Sequence, residues 1–234
     1  MCTEHVEVHK RVLAANDEVA ERLHHRFQHS GTLMVNLISS PGSGKTALLE
    51  ATIPELKDDY RLVVLEGDVA TQLDAARIRK QGVPARQILT GGACHLDARQ
   101  VFHEVERLEG ELPEILFVEN VGNLVCPATY DLGEDFKVAL LSVVEGDDKP
   151  FKYPAIFSRA TATVITKADL LPLVSFDLQR VREQVAVLNP DAAFIVTSAE
   201  TGQGIEGWCR LLANRLAEKQ RRALRTDEPA HVHG

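Results

Sequence analysis

Apolar and polar positions along the chain follow two alternating periods. Short apolar runs at 33–38, 61–65, 85–89, 114–118, 137–144, 163–166 and 193–196 read as strands. Between them, apolar residues recur three or four apart, as on one face of a helix. Such stretches lie at 16–29, with Val19, Leu23 and Phe27 on one stripe, at 46–56, 71–81 and 181–188, in a helix ending near Leu108, and at 204–216, with Trp208 and Leu212 inward. Ser30-Gly31 supplies a stop for the first. Residues 145–154 read as a polar loop. Strand and helix in alternation predict an α/β fold, a mostly parallel sheet with helices on both faces.

The first strand runs directly into Ser39-Ser40-Pro41-Gly42-Ser43-Gly44-Lys45-Thr46, and Thr46-Ala47 opens a helix. Strand, Gly-rich turn and helix start are the context of a phosphate-binding loop, which makes the fold a P-loop NTPase. Backbone N–H groups from Gly42 to Ala47, Ser43 among them, are expected to cradle phosphates, helped by the dipole at the helix start. Lys45 reaches the β- and γ-phosphates, and the Thr46 hydroxyl holds Mg²⁺. Ser39 stands where the usual pattern has its first glycine. An ordinary Gly/Ser connector is the alternative, and the density of the cluster speaks against it.

Ligands of open α/β sheets sit outside the carboxyl ends of the strands. After the second strand comes Glu66-Gly67-Asp68, where Asp68 is a candidate to bind Mg²⁺ or orient water, with a turn-capping role as its alternative and Asp74 a weaker second candidate. Glu119-Asn120-Val121-Gly122 resembles the D-x-x-G switch of GTPases, in which the Gly122 amide would meet the γ-phosphate and Glu119 would act near Mg²⁺. Lys45, Asp68 and Glu119 are therefore the candidate catalytic residues. Thr166-Lys167-Ala168-Asp169 stands where GTPases carry N-K-x-D. Asp169 can accept from guanine N1–H and the exocyclic amine, a donor pair that adenine lacks. Lys167 would pack its stem over the purine, and Thr166 replaces the usual Asn. Ser198-Ala199 resembles the second guanine loop, whose amide meets O6. In that order the motifs select GTP and GDP over ATP, which argues against an ATP-dependent small-molecule kinase. Neither an arginine finger nor a glutamine is evident in cis near the γ-phosphate, so slow intrinsic turnover is expected.

Length and charge narrow the class. A chain of 234 residues, 44% hydrophobic and 26% charged, has the size and composition of one globular domain. The expected division is an N-terminal helical extension at 1–30, a GTPase domain at 31–218 and a flexible tail at 219–234 that carries His231 and His233. A net charge of -8 argues against nucleic acid and anionic membranes as partners. No apolar run approaches the roughly 18 residues of a membrane span, and the polar N-terminus is unlike a signal peptide, so a cytoplasmic, soluble chain is expected. Its four cysteines, Cys2, Cys94, Cys126 and Cys209, are in that setting free thiols or metal ligands rather than disulfides. Cys2, His5 and His9 read as part of a tail or leading helix, and His25 and His29 as solvated surface residues.

Cys94-His95 and Cys126 are the unusual feature. Two thiols and an imidazole suit Zn²⁺ or Ni²⁺. The second thiol follows shortly after the switch segment 119–122, where a nucleotide-driven shift would move it. On spacing alone the trio reads equally as two buried thiols and a structural histidine.

Taken together, Ser39–Thr46, Glu66-Gly67-Asp68, Cys94-His95-Leu96-Asp97, 119–127, Asp131-Leu132-Gly133-Glu134 and Glu145-Gly146-Asp147-Asp148 resemble the HypB family of nickel-incorporation GTPases, a metallochaperone branch of the SIMIBI class, over about 33–215. The resemblance implies nickel delivery to a [NiFe]-hydrogenase large subunit precursor, coupled to GTP hydrolysis and aided by a HypA-type nickel-binding protein. It also implies a nucleotide-promoted homodimer with Cys94, His95 and Cys126 as the shared metal site, and Lys152 as a lysine that reaches a nucleotide phosphate across the dimer. The N-terminal CxxCGC motif and long His tract of some members are not present here. A urease-type nickel GTPase and a non-hydrolysing metal-storage module are the rival readings.

Overall fold

The chain was described from a computed structural model, which covers residues 2–68 and 73–226. Its strands are β1 (Leu33–Ile38), β2 (Leu62–Asp68), β3 (Ala85–Leu89), β4 (Ile115–Glu119), β5 (Phe136–Ser142), β6 (Ala162–Thr166) and β7 (Ala193–Val196). The helices are α1 (Cys2–Ser30), α2 (Lys45–Leu56), α3 (Leu73–Arg79), α4 (Ala98–Glu106), α5 (Lys149–Lys152), α6 (Pro154–Arg159), α7 (Leu178–Leu188) and α8 (Ile205–Thr226). The strands form one sheet in the order β3-β2-β4-β1-β5-β6-β7, and every pair is parallel. The expected α/β architecture is therefore observed. β1 lies at the centre, so the loop leaving it opens onto the middle of the carboxyl edge.

Alternation along β1 assigns the faces. Leu33, Val35 and Leu37 join a core with α2, α3 and α8, through Leu48, Ile53, Ile78, Trp208 and Leu212. Met34 faces the other way, into a core with Leu23 and Phe27 of α1 and Val101 of α4. Ile38 lies on that same face, with Ile156 of α6 and Val181 of α7. The predicted α1 stripe is confirmed: Leu23 and Phe27 are fully buried, and Val19 packs against them.

The main departures from the expected boundaries are these. β2 continues to Asp68, because Glu66, Gly67 and Asp68 keep their pairing with β3. Within the expected loop 145–154, residues 149–152 fold as α5 and Pro154 opens α6, each helix with a proline in its first turn. Residue 16 lies inside α1, not at its start. The last helix runs past 216 to Thr226, so the expected tail boundary at 219 falls within it. Lys219 is buried there in an ion pair with Asp135, and Ala223 is buried beside Gly31. The expected helix start at Thr71, and His231 and His233, lie outside the described residues, as do the side chains of Cys2, His5 and His9.

α1 is seated on residues 131–135. Gly133 lies so close that a Cβ there would sit 2.5 Å from Leu23 Cβ. His24 Nε2 lies 3.1 and 3.2 Å from the two Asp131 carboxylate oxygens. This bond holds the His24 imidazole above its ordinary value of 6.5. Burial pushes the Asp131 carboxyl up, but the bonds from His24 and the Gly133 amide outweigh it and leave Asp131 below its usual range. The His24 contribution is thus complete below about 6.5 and lost as pH rises through the raised value, while that of Asp131 is lost as pH falls through its lowered value. Urea unfolding of wild type and His24→Gln should differ most in the mildly acidic window between these limits, and converge at alkaline pH. Lys219→Ala leaves Asp135 without its buried partner and should lower unfolding free energy by roughly 3 kcal/mol, read from the same titration.

Candidate nucleotide and metal site

The turn after β1 is held in shape from three sides. Lys45 Nζ donates to Ser39 Oγ at 3.1 Å, so the serine in the usual glycine place fixes the lysine. Ser43 Oγ bonds Glu145, and Thr166 Oγ1 donates to the Ser43 carbonyl at 2.6 Å. Thr166 therefore keeps a bond to the loop although it replaces Asn. Lys167, at φ 58°, donates to the Gly42 carbonyl at 2.8 Å.

Two adjoining clefts meet at Gly44, Ala47, Arg77 and Lys167. One, of about 510 Å³, is lined by Lys45, Thr46, Glu66, Asp68, Asp74, Glu119 and Gly122. Thr46 Oγ1 donates to Glu119 Oε1 at 2.9 Å, and Lys45 Nζ lies 3.9 Å from the same oxygen. The other, of about 610 Å³, is lined by Thr166, Lys167, Asp169, Thr197 and Ala199. Ser198 is buried beneath it and donates to Asp169 Oδ1 at 2.5 Å. The strand-end residues predicted for phosphate, cation and base thus line one continuous surface. Lys152 lines neither cleft and is exposed on α5, paired with Asp148.

Glu66 was not singled out by sequence reasoning as a site residue. The parallel register sets it beside Glu119, and both carboxyls are buried. Burial, and then the charge of Glu119, push the Glu66 carboxyl far above its ordinary value; burial also raises Glu119, against the pull of Lys45. Glu66, kept protonated, bonds to Glu119, and among the described residues no other group bonds Glu66 Oε1 or Glu119 Oε2. Two buried carboxyl groups lining a cleft beside a threonine hydroxyl form, once ionised, a donor set suited to a hard divalent cation such as Mg²⁺. Sequence alone could have flagged Glu66, since it shares a strand end with Asp68. Arg77 was also missed. It reaches the rim of both clefts, held by Glu50 at 2.6 Å and Asp74 at 3.0 Å.

The trio of Cys94, His95 and Cys126 converges within one chain. Cys94 Sγ lies 3.1 Å from Cys126 Sγ and 3.5 Å from His95 Nδ1, and the three candidate ligand atoms all lie within 4.8 Å of one another. Cys94 is exposed and Cys126 half-buried, so the reading as buried thiols fails. Ligand bonds of about 2.0–2.3 Å can reach one ion from such positions. Burial lowers the His95 imidazole, partly opposed by Asp97, which favours the neutral form that ligates metal. The bond with Cys94, and then burial, raise the Cys126 thiol. The His95 ring lies 3.9 Å from that of Tyr130, centroid to centroid. Asp97 itself caps α4, accepting from the Gln100 amide at 2.8 Å.

The two sites touch through Leu96. Its amide donates to Asn120 Oδ1 at 3.1 Å, and Asn120 lies between Glu119 and Gly122. Asn120 is buried and in turn donates to Asn36 Oδ1 of β1 at 3.2 Å. From the other side, Gly67 packs so tightly on Leu96 that a Cβ would lie 2.7 Å from its Cδ1. Both cleft-lining strand ends, β2 and β4, thus press on the residue next to His95. Nothing in the spacing of the motifs had indicated this.

Comparison with known proteins agrees with this geometry. The profile described as "CobW/HypB/UreG, nucleotide-binding domain" matches residues 33–196. The hydrogenase maturation factor HypB of Escherichia coli K12 is 48% identical over 207 residues, covering 88% of this chain and 71% of that protein. The hydrogenase/urease maturation factor HypB of Helicobacter pylori is 41% identical over 220 residues, covering 92% and 88%. A crystal structure of H. pylori HypB in complex with nickel superimposes with a TM-score of 0.81 at 40% identity, covering 87% of this chain and 96% of that one. Among the described residues no helix is long and apolar enough to cross a membrane. With its fold, its P-loop and most of its length in common with these proteins, the chain belongs to the HypB family of hydrogenase maturation factors.

Proposed function

We propose that the chain is a GTP-hydrolysing nickel metallochaperone for [NiFe]-hydrogenase maturation, in which metal loading and release follow the nucleotide state and dimerisation. The observation that carries the coupling is the bond from the Leu96 amide to Asn120. A segment placed to feel the third phosphate grips the backbone beside one metal ligand, and a few residues on it delivers another, Cys126.

The lysine and loop amides from Gly42 to Ala47 hold the phosphates, and Asp169, Lys167, Ser198 and Ala199 hold guanine. Thr46, Asp68 and Glu119 take Mg²⁺, and Glu66 stands beside them. Bound there, the cation neutralises phosphate charge in the transition state. With GTP present, the Gly122 amide and Glu119 adopt one arrangement; after hydrolysis they relax, and Asn120 and Cys126 move with them. Nickel is the cargo, taken up by Cys94, His95 and Cys126, and Zn²⁺ competes for the same donors. Arg77 is engaged by Glu50 and Asp74, so intrinsic turnover is slow. Lys152 reaches out to a second copy of the chain in the homodimer. A HypA-type protein supplies nickel, and the large subunit precursor of the hydrogenase receives it, in the cytoplasm. The dual naming of the H. pylori relative favours urease as a second destination.

The coupling claim is tested by titrating Ni²⁺ into protein bound to GDP and to a non-hydrolysable GTP analogue. Affinities should differ between the two states in wild type and converge in Asn120→Ala; equal affinities in wild type would remove the coupling, since a ligand shifts only an equilibrium whose states it binds differently. The base assignment has its own readout. Asp169→Asn should weaken GTP by about 1.5–3 kcal/mol, measured calorimetrically, and leave ATP binding unchanged.

A further inference from the structure

α1 does more than cover the sheet. Asn16 is 4% exposed, and its side chain reaches two separate segments. Asn16 Oδ1 accepts from the Ala98 amide at 2.8 Å, and Asn16 Nδ2 donates to the Asp131 carbonyl at 2.8 Å. Ala98 opens α4 directly after Cys94-His95-Leu96-Asp97, and Asp131 follows the short 3-10 turn Cys126–Ala128. One carboxamide thus bridges the roots of the two loops that carry the metal ligands.

We infer that Asn16 is a positioning residue for the metal site: it sets the separation of the Cys94-His95 loop from the Cys126 loop. The assignment rests on the reading of those three residues as metal ligands. The chemistry suits an amide. A neutral side chain must donate to a carbonyl and accept from an N–H at the same time, and a carboxamide does so through two separate atoms, which lets it span two segments. Both partners are backbone groups, so what is fixed is the course of the chain and not a rotamer. At the exposed end the loops are tied a second time, where Asn123 Nδ2 donates to the Cys94 carbonyl at 3.2 Å. Asn123 belongs to the segment that follows the switch and moves with it. Asn16 belongs to α1 and does not. It therefore provides the fixed end of a frame whose other end is free to open.

Around this bridge α1 is locked to the Asp131 side by Gly133 against Leu23 and by His24 on the Asp131 carboxylate. The Asp131 carboxylate also accepts from the Gly133 amide at 2.8 Å. These contacts hold α1 to one loop only. Asn16 is the contact that joins both.

The experiment compares wild type, Asn16→Ala, Asn16→Asp and Phe27→Leu in the full chain. Phe27 is a core residue of the same helix that touches neither loop root in this way, so it controls for simple loss of stability. The readouts are Ni²⁺ affinity, the thiolate-to-nickel charge-transfer spectrum, GDP affinity and the melting temperature. Asn16→Ala should weaken Ni²⁺ by about tenfold and alter the charge-transfer band, with GDP affinity unchanged. Asn16→Asp keeps the acceptor for Ala98 and loses the donor to Asp131, so it should fall between; it also decides the matter if Asn16→Ala does not fold. Phe27→Leu should lower the melting temperature and leave nickel affinity and spectrum as in wild type. Wild-type nickel affinity and spectrum in both Asn16 variants would overturn the assignment, as would an equal nickel loss in Phe27→Leu. A wild-type protein whose nickel binding is unchanged by Cys94→Ala would instead overturn the metal-site reading on which it rests.

Discussion

One hydrogen bond joins the two chemical halves of this molecule, that from the Leu96 amide to the Asn120 side chain. It is buried, and its acceptor belongs to the segment that lines the cleft of Lys45, Thr46 and Glu119. Breaking it would strand a main-chain donor in the core, at a cost of about 1–3 kcal/mol. A displacement of Asn120 would therefore oblige the loop bearing Cys94 and His95 either to follow or to lose that bond. Gly67 strengthens the obligation, because the absence of a side chain there lets β2 rest directly on Leu96. The proposed coupling of nucleotide and metal therefore needs no long pathway. It needs two strand ends and one leucine.

The parallel sheet makes that economy possible. Because every strand runs the same way, the P-loop, Asp68, Glu119, Asp169 and Ser198 all emerge on one edge. The same register that aligns Leu37 with Glu119 also aligns Glu66 with Glu119. Two acids in one dry place are unfavourable for folding, and both resist ionisation. A divalent cation held there, as proposed, would offset that cost by favouring the ionised forms. The Lys45 ammonium near Glu119 offsets part of that cost in the meantime.

The strand pattern was legible because buried parallel strands are apolar runs with little else to confuse them. The P-loop was legible because Pro-Gly-Ser-Gly-Lys-Thr admits few other uses, and Asp169 because its place beside Lys167 follows a strand end. The extent of α8 was not, since its last turns are rich in charge; only the fold reveals that Lys219 has Asp135 to bury against. α5 and α6 were hidden by the prolines that start them, which in a linear reading look like breakers. Glu66 and Asn120 lay in plain sight inside recognised motifs, but their roles depend on which strand lies beside which, and no local period encodes strand order. The convergence of Cys94, His95 and Cys126 was undecidable from spacing and became plain once β3 and β4 were seen to flank β2.

The packing of α8 has a consequence for how the protein is made. Trp208 and Leu212, near the end of the chain, lie in the same core as Leu33, Val35 and Leu37 of the central strand, and Trp208 Nε1 donates to Thr52 Oγ1 of the P-loop helix at 3.0 Å. The apolar face of β1 that α2 and α3 cover in part is therefore closed only when α8 docks. That closing contact joins residues that lie 156 positions apart in the chain, a non-local pairing of the kind that slows folding.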